Sequence, residues 1–106
     1  MNIDALLKLV DTPRDNAMLR FSLGRFYLTE GDPGSAAGHL LVATEMNPSY
    51  TAAWKELGRS LKEAGRFEEA ETAWRRGIEI AEEEGDKQAG KEMAVFLRRL
   101  EKATGD

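Results

Sequence analysis

The chain repeats itself with a period of 34 residues, and this internal repeat constrains the fold more than any other feature of the sequence. The residues that coincide after the shift are mostly small or apolar: Leu23-Gly24-Arg25 on Leu57-Gly58-Arg59, Gly31 on Gly65, Ala36 on Ala70 and Glu45 on Glu79. Glycine inside a helix costs about 1 kcal/mol relative to alanine. Its presence at the same phase, at Gly24 and Gly58, therefore predicts a neighbouring helix that crosses too closely for a side chain.

The apolar residues between the glycines recur at the spacing of amphipathic helices, i, i+3 and i+4. The clearest sets are Ala53, Trp54, Leu57 and Leu61 in one segment, Phe67, Ala70, Trp74, Ile78 and Ala81 in the next, and Ala89, Met93, Phe96, Leu97 and Leu100 in the last. No segment shows the alternation of apolar and polar residues that is typical of strands. The sequence therefore predicts an all-α fold.

Residues that favour caps and turns mark the ends of the predicted helices. Thr12-Pro13-Arg14-Asp15 predicts a helix start, with Thr12 as cap, and Gly31 predicts the end of that helix. The second helix is predicted from Asp32-Pro33 to Asn47-Pro48, and the third from its cap Ser49 to Gly65. The fourth is predicted over Phe67–Glu84, before Gly85, and the fifth from its cap Asp86 to about Ala103. Residues 2–11 predict a short leading helix, with a frayed terminus as the alternative.

The two repeated units carry a recognisable pattern of residues. The first, residues 17–50, reads Leu23-Gly24-x-x-Tyr27, then Ala36-x-x-x-Leu40 and Pro48; the second, residues 51–84, reads Trp54-x-x-Leu57-Gly58-x-x-Leu61, then Ala70-x-x-x-Trp74. This pattern resembles the tetratricopeptide repeat, a helix-turn-helix unit of 34 residues, in a small bacterial-type domain. The departures from the family pattern are Arg20 for tryptophan, Leu61 for tyrosine, Trp74 for phenylalanine and Glu82 for proline.

The resemblance implies a single domain, residues 1–106, built as an α-α superhelix of antiparallel helix pairs. Its predicted parts are a leading helix (2–11), two repeats (17–50 and 51–84) and a capping helix (85–103). The last helix fits the repeat better at a shift of 36, which places Met93 on Leu57, Ala94 on Gly58 and Leu97 on Leu61. Such a helix closes the end of a repeat array. A plain helical bundle is the alternative fold.

Composition excludes several kinds of chemistry. The chain has no cysteine and one histidine, His39, so disulfides, thiolate metal sites and multi-histidine metal sites are excluded. Its net charge of −4 disfavours general binding to nucleic acids. No apolar run reaches the length of a membrane span, and no leader is recognised at the start, so we expect a cytoplasmic protein without a membrane partner.

His39 is the only residue that suggests an enzyme, and we interpret it as a surface histidine on the convex side. No serine is placed to be its partner, no carboxylate pair is isolated in an apolar pocket, and no phosphate-binding loop is present. We therefore predict no catalytic residues, no metal and no cofactor.

The resemblance implies that the first helix of each unit lines a concave face. That face would hold the candidate binding residues Phe21, Arg25, Leu28, Lys55, Arg59, Lys62, Lys91 and Arg98. The groove would be basic in an acidic chain, and it would suit an acidic peptide, because arginine pairs with carboxylates through two parallel hydrogen bonds. The alternative is that these cations are ordinary exposed residues paired with Glu56, Glu63 or Glu92.

The predicted function is thus non-catalytic protein–protein interaction, with a peptide or helix, acidic in the favoured case, bound in the concave groove. The alternative is a structural module that forms a weak homodimer through the last helix, where Val95 and Phe96 would expose apolar surface. Nucleic-acid binding ranks below both, because Phe21 is the one aromatic residue on that face able to stack on bases.

Overall fold

The structure of the chain is a computed structural model that describes residues 2–105, so both end residues of the predicted domain lie outside it. This part of the chain contains six α-helices and no strand: α1 (Ile3–Leu7), α2 (Ala17–Thr29), α3 (Pro33–Met46), α4 (Thr51–Glu63), α5 (Phe67–Glu84) and α6 (Lys87–Ala103). Each helix packs against the next in the chain, and α4 also contacts α2 and α6. The predicted all-α stack of helix pairs is confirmed.

The core of each unit is a large apolar side chain seated over a glycine. Leu40 of α3 lies over Gly24 of α2, and Trp74 of α5 lies over Gly58 of α4. A Cβ atom on either glycine would overlap the side chain above it, which confirms the close helix crossing that the repeated glycines predict. Both large side chains are fully buried. Trp74 also donates a hydrogen bond from Nε1 to the Lys55 carbonyl oxygen at 3.1 Å, so its polar atom is satisfied.

Several predicted helix ends are confirmed. Asp32 caps α3 by accepting a hydrogen bond from the Ser35 N–H at 3.1 Å, and Pro33 stands in the first turn. Asp86 caps α6 in the same way, through the Ala89 N–H. The turns after α2 and α4 place Gly31 and Gly65 at a φ of +78°, a conformation that glycine adopts without steric cost.

The predicted start of α2 at Thr12-Pro13 is wrong. The helix begins at Ala17, and its cap is Asn16, whose side chain accepts from the Leu19 N–H at 2.8 Å. Thr12 instead donates its hydroxyl to the Leu9 carbonyl oxygen. The chain between the two helices is held as a turn in which Asp11 has a φ of +62° and donates its N–H to the Asp15 carboxylate.

Two further boundaries differ from the prediction. The leading helix ends at Leu7 rather than residue 11, because the hydrogen bonds change to the tighter i to i+3 pattern: Leu9 and Val10 donate to Leu6 and Leu7. Ser49 does not cap α4, which begins at Thr51 without a side-chain cap. The Ser49 N–H donates a hydrogen bond to Oδ1 of Asn47 at 3.2 Å. Within residues 2–105, no helix combines the length and the apolar character that a membrane span requires.

Candidate functional site

A shallow groove runs across α2, α4 and α6, the first helices of their units. It consists of three hollows of about 430, 150 and 130 Å³ that share residues. Arg25 and Thr29 join the first hollow to the second, and Arg59 and Glu63 join the second to the third. We call this surface the α2–α4–α6 groove; its lining residues are Phe21, Ser22, Arg25, Phe26, Leu28, Thr29, Glu56, Arg59, Lys62, Glu63, Trp74, Phe96 and Arg99.

The α2 end of the groove is aromatic. The ring of Phe21 lies 5.0 Å from the ring of Tyr50, measured between centroids. The guanidinium carbon of Arg25 stands 5.9 Å from the centroid of Phe21, within the range of a cation–π contact. Leu28, one helical turn beyond Arg25, is half-buried beside it. This end therefore offers an apolar surface with a positioned positive charge.

Two of the predicted groove cations are paired with carboxylates. Arg59 donates to Glu56 at 3.2 Å, and the Glu56 side chain is buried. Lys55 of α4 donates to Glu92 of α6 at 3.3 Å, so this pair joins two helices. For Lys55 and Arg59 the structure therefore agrees with the alternative that the cations pair with neighbouring carboxylates.

The remaining cations of the groove form no ion pair with the described part of the chain. Within residues 2–105, no carboxylate lies within 4 Å of the charged nitrogens of Arg25, Lys62 or Arg99. With Arg59, they give the groove four cations against the carboxylates of Glu56 and Glu63. The lining is thus positive overall, in a chain whose net charge is −4.

The structure brings Phe21, Arg25, Leu28, Arg59 and Lys62 together in this groove. The predicted residues of α6 do not line this groove. Lys91 lines a different groove, between α5 and α6, and Arg98 is exposed outside the three hollows.

The residues of α6 that do line the groove are Phe96 and Arg99. A shift of 36 places Phe96 and Arg99 on Ser60 and Glu63 of α4. The repeat therefore relates them to α4, but the predicted binding residues of α6 were Lys91 and Arg98. Phe96 is half-buried: it packs against Trp74, with ring centroids 5.5 Å apart, and keeps part of its surface in the groove.

His39 is half-buried and packed, so its interpretation as a plain surface histidine is wrong. Its ring is stacked on Tyr27, with 5.6 Å between centroids and 7° between planes. Its Nδ1 lies 3.3 Å from the guanidinium of Arg20, which is buried and also paired with Asp15 at 2.8 Å and with Asp11 at 3.2 Å. Arg20 stands where the family pattern has tryptophan. Its buried charge requires partners, and Asp15, Asp11 and His39 provide them.

Burial lowers the pKa of His39 below its usual value of 6.5, and the positive charge of Arg20 lowers it further, against the opposing effect of Asp15. The hydrogen bonds from Arg20 lower the pKa of the Asp15 carboxyl. This arrangement favours a neutral imidazole that accepts a hydrogen bond from Arg20. It is a structural contact between α2 and α3, because one ring face stacks on Tyr27 and Nδ1 accepts from Arg20.

The lowered pKa of His39 predicts that acid destabilises the fold through this residue. The unfolded chain binds the proton more readily than the folded chain, so this contribution is present above about pH 6.5 and is lost as the pH falls through the folded pKa. Denaturant unfolding of the native chain between about pH 7.5 and about pH 5 should show a larger loss of stability than that of His39→Gln, which keeps an acceptor for Arg20. Equal losses in the two proteins would contradict this role.

A second groove, of about 410 Å³, lies on the side of the stack formed by the second helices. It separates α3 from α5, and α4 forms its floor; Leu41, Trp54 and Leu61 are among its apolar lining residues. Leu41, which is 47% exposed, had no role in the sequence predictions, and this groove was not predicted. Among residues 2–105 no cluster of metal-ligating side chains is present.

Comparison with known proteins gives a consistent result. A family model described as tetratricopeptide repeat matches residues 21–86. A TPR repeat-containing protein of Pseudomonas aeruginosa is 48% identical over 103 residues, which cover 97% of this chain and 98% of the relative.

Solved structures agree with this sequence match. The solution structure of a protein from Bordetella parapertussis has a TM-score of 0.81 at 37% identity and covers 97% of this chain and 90% of that one. The Sgt2 TPR domain of Aspergillus fumigatus, at 24% identity, has a TM-score of 0.73 over 98% of this chain and 69% of that one, and it supports the fold alone. The repeated glycines, the helix stack and these matches lead to one conclusion: the chain belongs to the tetratricopeptide repeat family.

Proposed function

We propose that this protein binds an acidic segment of another protein in the α2–α4–α6 groove. Tetratricopeptide repeat domains are in general non-catalytic modules that bind other proteins or peptides. The observation that carries the acidic preference is the excess of cations in the groove, together with the absence of carboxylate partners for Arg25, Lys62 and Arg99 within residues 2–105. Carboxylates of the bound segment would supply those partners.

The groove also suggests how the segment is arranged. Phe21 and Leu28 offer an apolar contact at the α2 end, whereas Lys62 and Arg99 lie at the α6 end. The occupant would therefore place an apolar residue against α2 and its carboxylates between α4 and α6. The hollows are shallow and small, so we expect modest affinity that falls as salt rises, as is usual for exposed ion pairs.

The test is selection of peptides from a displayed random library by the native chain and by Arg25→Glu/Lys62→Glu. These two residues are exposed and make no ion pair within residues 2–105, so the variant should fold. The native chain should enrich acidic peptides, and the variant should lose that enrichment, with a fall in affinity of about tenfold or more for a selected peptide.

The control for this experiment is Lys8→Glu/Arg14→Glu, which changes the net charge equally at exposed positions outside the groove. It should enrich the same peptides as the native chain. A loss of enrichment in the control, or its survival in the groove variant, would show that general charge or another surface selects the peptides.

A further inference from the structure

The outer face of α6 repeats the face of α4 on which α5 packs. At a shift of 36, Met93, Ala94 and Leu97 take the positions of Leu57, Gly58 and Leu61. On α4, that face is covered by α5, with Trp74 seated over Gly58. On α6, Met93 is buried against Gly77 of α5, but Ala94 is half-buried and no helix of residues 2–105 packs over it. A groove of about 350 Å³ opens there, with Ile78, Ala81, Gly90 and Ala94 among its lining residues.

The α6 helix carries the positive charge of this groove, which we call the α6 end groove. Lys87 and Lys91 line it, and Arg98 follows on the same face of α6, seven residues after Lys91. Among residues 2–105 none of these three cations has a carboxylate within 4 Å. Like charges four residues apart, as Lys87 and Lys91 are, destabilise an isolated helix. The α5 wall offers Glu82, whereas Asp86 is occupied in capping α6.

The chain itself shows what packs on a face of this kind. α5 is an amphipathic helix of 18 residues that contains seven glutamates and two arginines. Its acidic residues leave its apolar side free to cover α4. The helix that covers the equivalent face in the second unit is thus strongly acidic.

We propose that the α6 end groove binds an acidic amphipathic helix of a partner protein, in the place that the second helix of a third repeat would occupy. The apolar side chain that enters the groove is smaller than tryptophan, because Ala94 carries a methyl group where Gly58 leaves room for Trp74. Carboxylates of the bound helix pair with Lys87, Lys91 and Arg98. This surface is separate from the α2–α4–α6 groove.

The same charges disfavour a second copy of this chain as the occupant. In an antiparallel pairing of two α6 helices centred beside Ala94, Lys91 of one copy meets Arg98 of the other. In a parallel pairing, Lys91 meets the Lys91 of the other copy. Both arrangements place like charges together across the helix contact, which opposes association.

The probe that tests the proposal is a labelled synthetic peptide with the sequence of residues 67–84 and the change Trp74→Leu. Its binding to the full chain is measured by fluorescence anisotropy at low salt. Binding to Lys91→Glu/Arg98→Glu should be about tenfold weaker than to the native chain. Ala94→Leu, which fills the groove without changing charge, should weaken binding as well. Circular dichroism shows whether each variant is folded.

The matched control is Lys8→Glu/Arg14→Glu, which has the same charge change at exposed positions outside both grooves. It should bind the peptide as the native chain does. A loss of binding in Arg25→Glu/Lys62→Glu, with none in Lys91→Glu/Arg98→Glu, would overturn the proposal and assign the peptide to the α2–α4–α6 groove. Equal losses in Lys91→Glu/Arg98→Glu and in the control, with no effect of Ala94→Leu, would also overturn it, because they would show attraction by net charge only.

A charge exchange provides the reciprocal test. The peptide in which Glu68, Glu69 and Glu71 are replaced by lysine should bind Lys91→Glu/Arg98→Glu more tightly than it binds the native chain. If sedimentation instead showed a dimer of the native chain that Ala94→Leu dissociates, the occupant would be a second copy and the proposal would be wrong.

Discussion

Replacing Trp74 by alanine should lower the free energy of unfolding by about 3–5 kcal/mol, the usual cost of removing a buried aromatic side chain. Trp74 is 1% exposed, packs against Phe96 and lies over Gly58. The substitution leaves a cavity between α4, α5 and α6 and removes the hydrogen bond to the Lys55 carbonyl. Urea unfolding followed by far-ultraviolet circular dichroism measures the loss. Met18→Ala, at a side chain that is 70% exposed, should change stability by less than about 0.5 kcal/mol.

The contact between Trp74 and Gly58 also predicts that the effect of Gly58→Ala on stability changes sign when Trp74 is removed. In the native chain, Gly58→Ala should be destabilising, because the added Cβ overlaps the indole ring. In the Trp74→Ala background the overlap is gone, and the same substitution should stabilise the helix by up to about 1 kcal/mol through alanine's better helix propensity. Gly58→Ala with the same effect in both backgrounds would contradict the close packing of Trp74 over Gly58.

Replacing Arg20 by leucine should cost about 3–5 kcal/mol of stability, because it leaves the buried Asp15 carboxylate without its partner. The side chains of Arg20 and Asp15 are only 10% and 5% exposed. Arg20 also contacts His39, so the substitution weakens the join between α2 and α3. Chemical denaturation at neutral pH measures the loss. The surface pair of Arg76 and Glu79 is the comparison, and Arg76→Leu should cost about 1 kcal/mol or less.

A second variant separates the lost charge pair from the lost volume. Arg20→Leu/Asp15→Asn removes both charges, and it should be more stable than Arg20→Leu alone, because no unpaired charge stays buried. If the losses of stability caused by Arg20→Leu and by Asp15→Asn simply added in the double variant, the two residues would act independently. The ion pair would then not stabilise this part of the fold.

The helical segments, the glycine turns and the crossing glycines could be predicted from the sequence because each depends on local rules. Apolar periodicity sets the buried face of a helix, and a left-handed turn residue such as Gly31 or Gly65 is recognisable by type. The repeat added long-range information, because Gly24 and Gly58 at the same phase imply the same contact twice.

The errors in helix boundaries arose where several residues compete for one role. Thr12, Asp15 and Asn16 can each cap a helix, and the choice depends on Arg20, whose guanidinium holds Asp15 and leaves Asn16 as the cap. The site was harder to predict than the fold, because an exposed cation looks alike in sequence whether it is free, as Lys62 is within residues 2–105, or paired across helices, as Lys55 is. That difference depends on the positions of carboxylates on other helices.

The packing of each helix against its sequence neighbours also bears on how the chain acquires its structure. Contacts in this stack join residues that are close along the chain, since α2 packs with α3, α3 with α4, α4 with α5 and α5 with α6. Little chain entropy is lost in closing such short loops, and proteins rich in local contacts fold fast. On the ribosome, α2 and α3 can pair before α5 has been synthesised. The order in which the helices pack can therefore follow the order in which they are made.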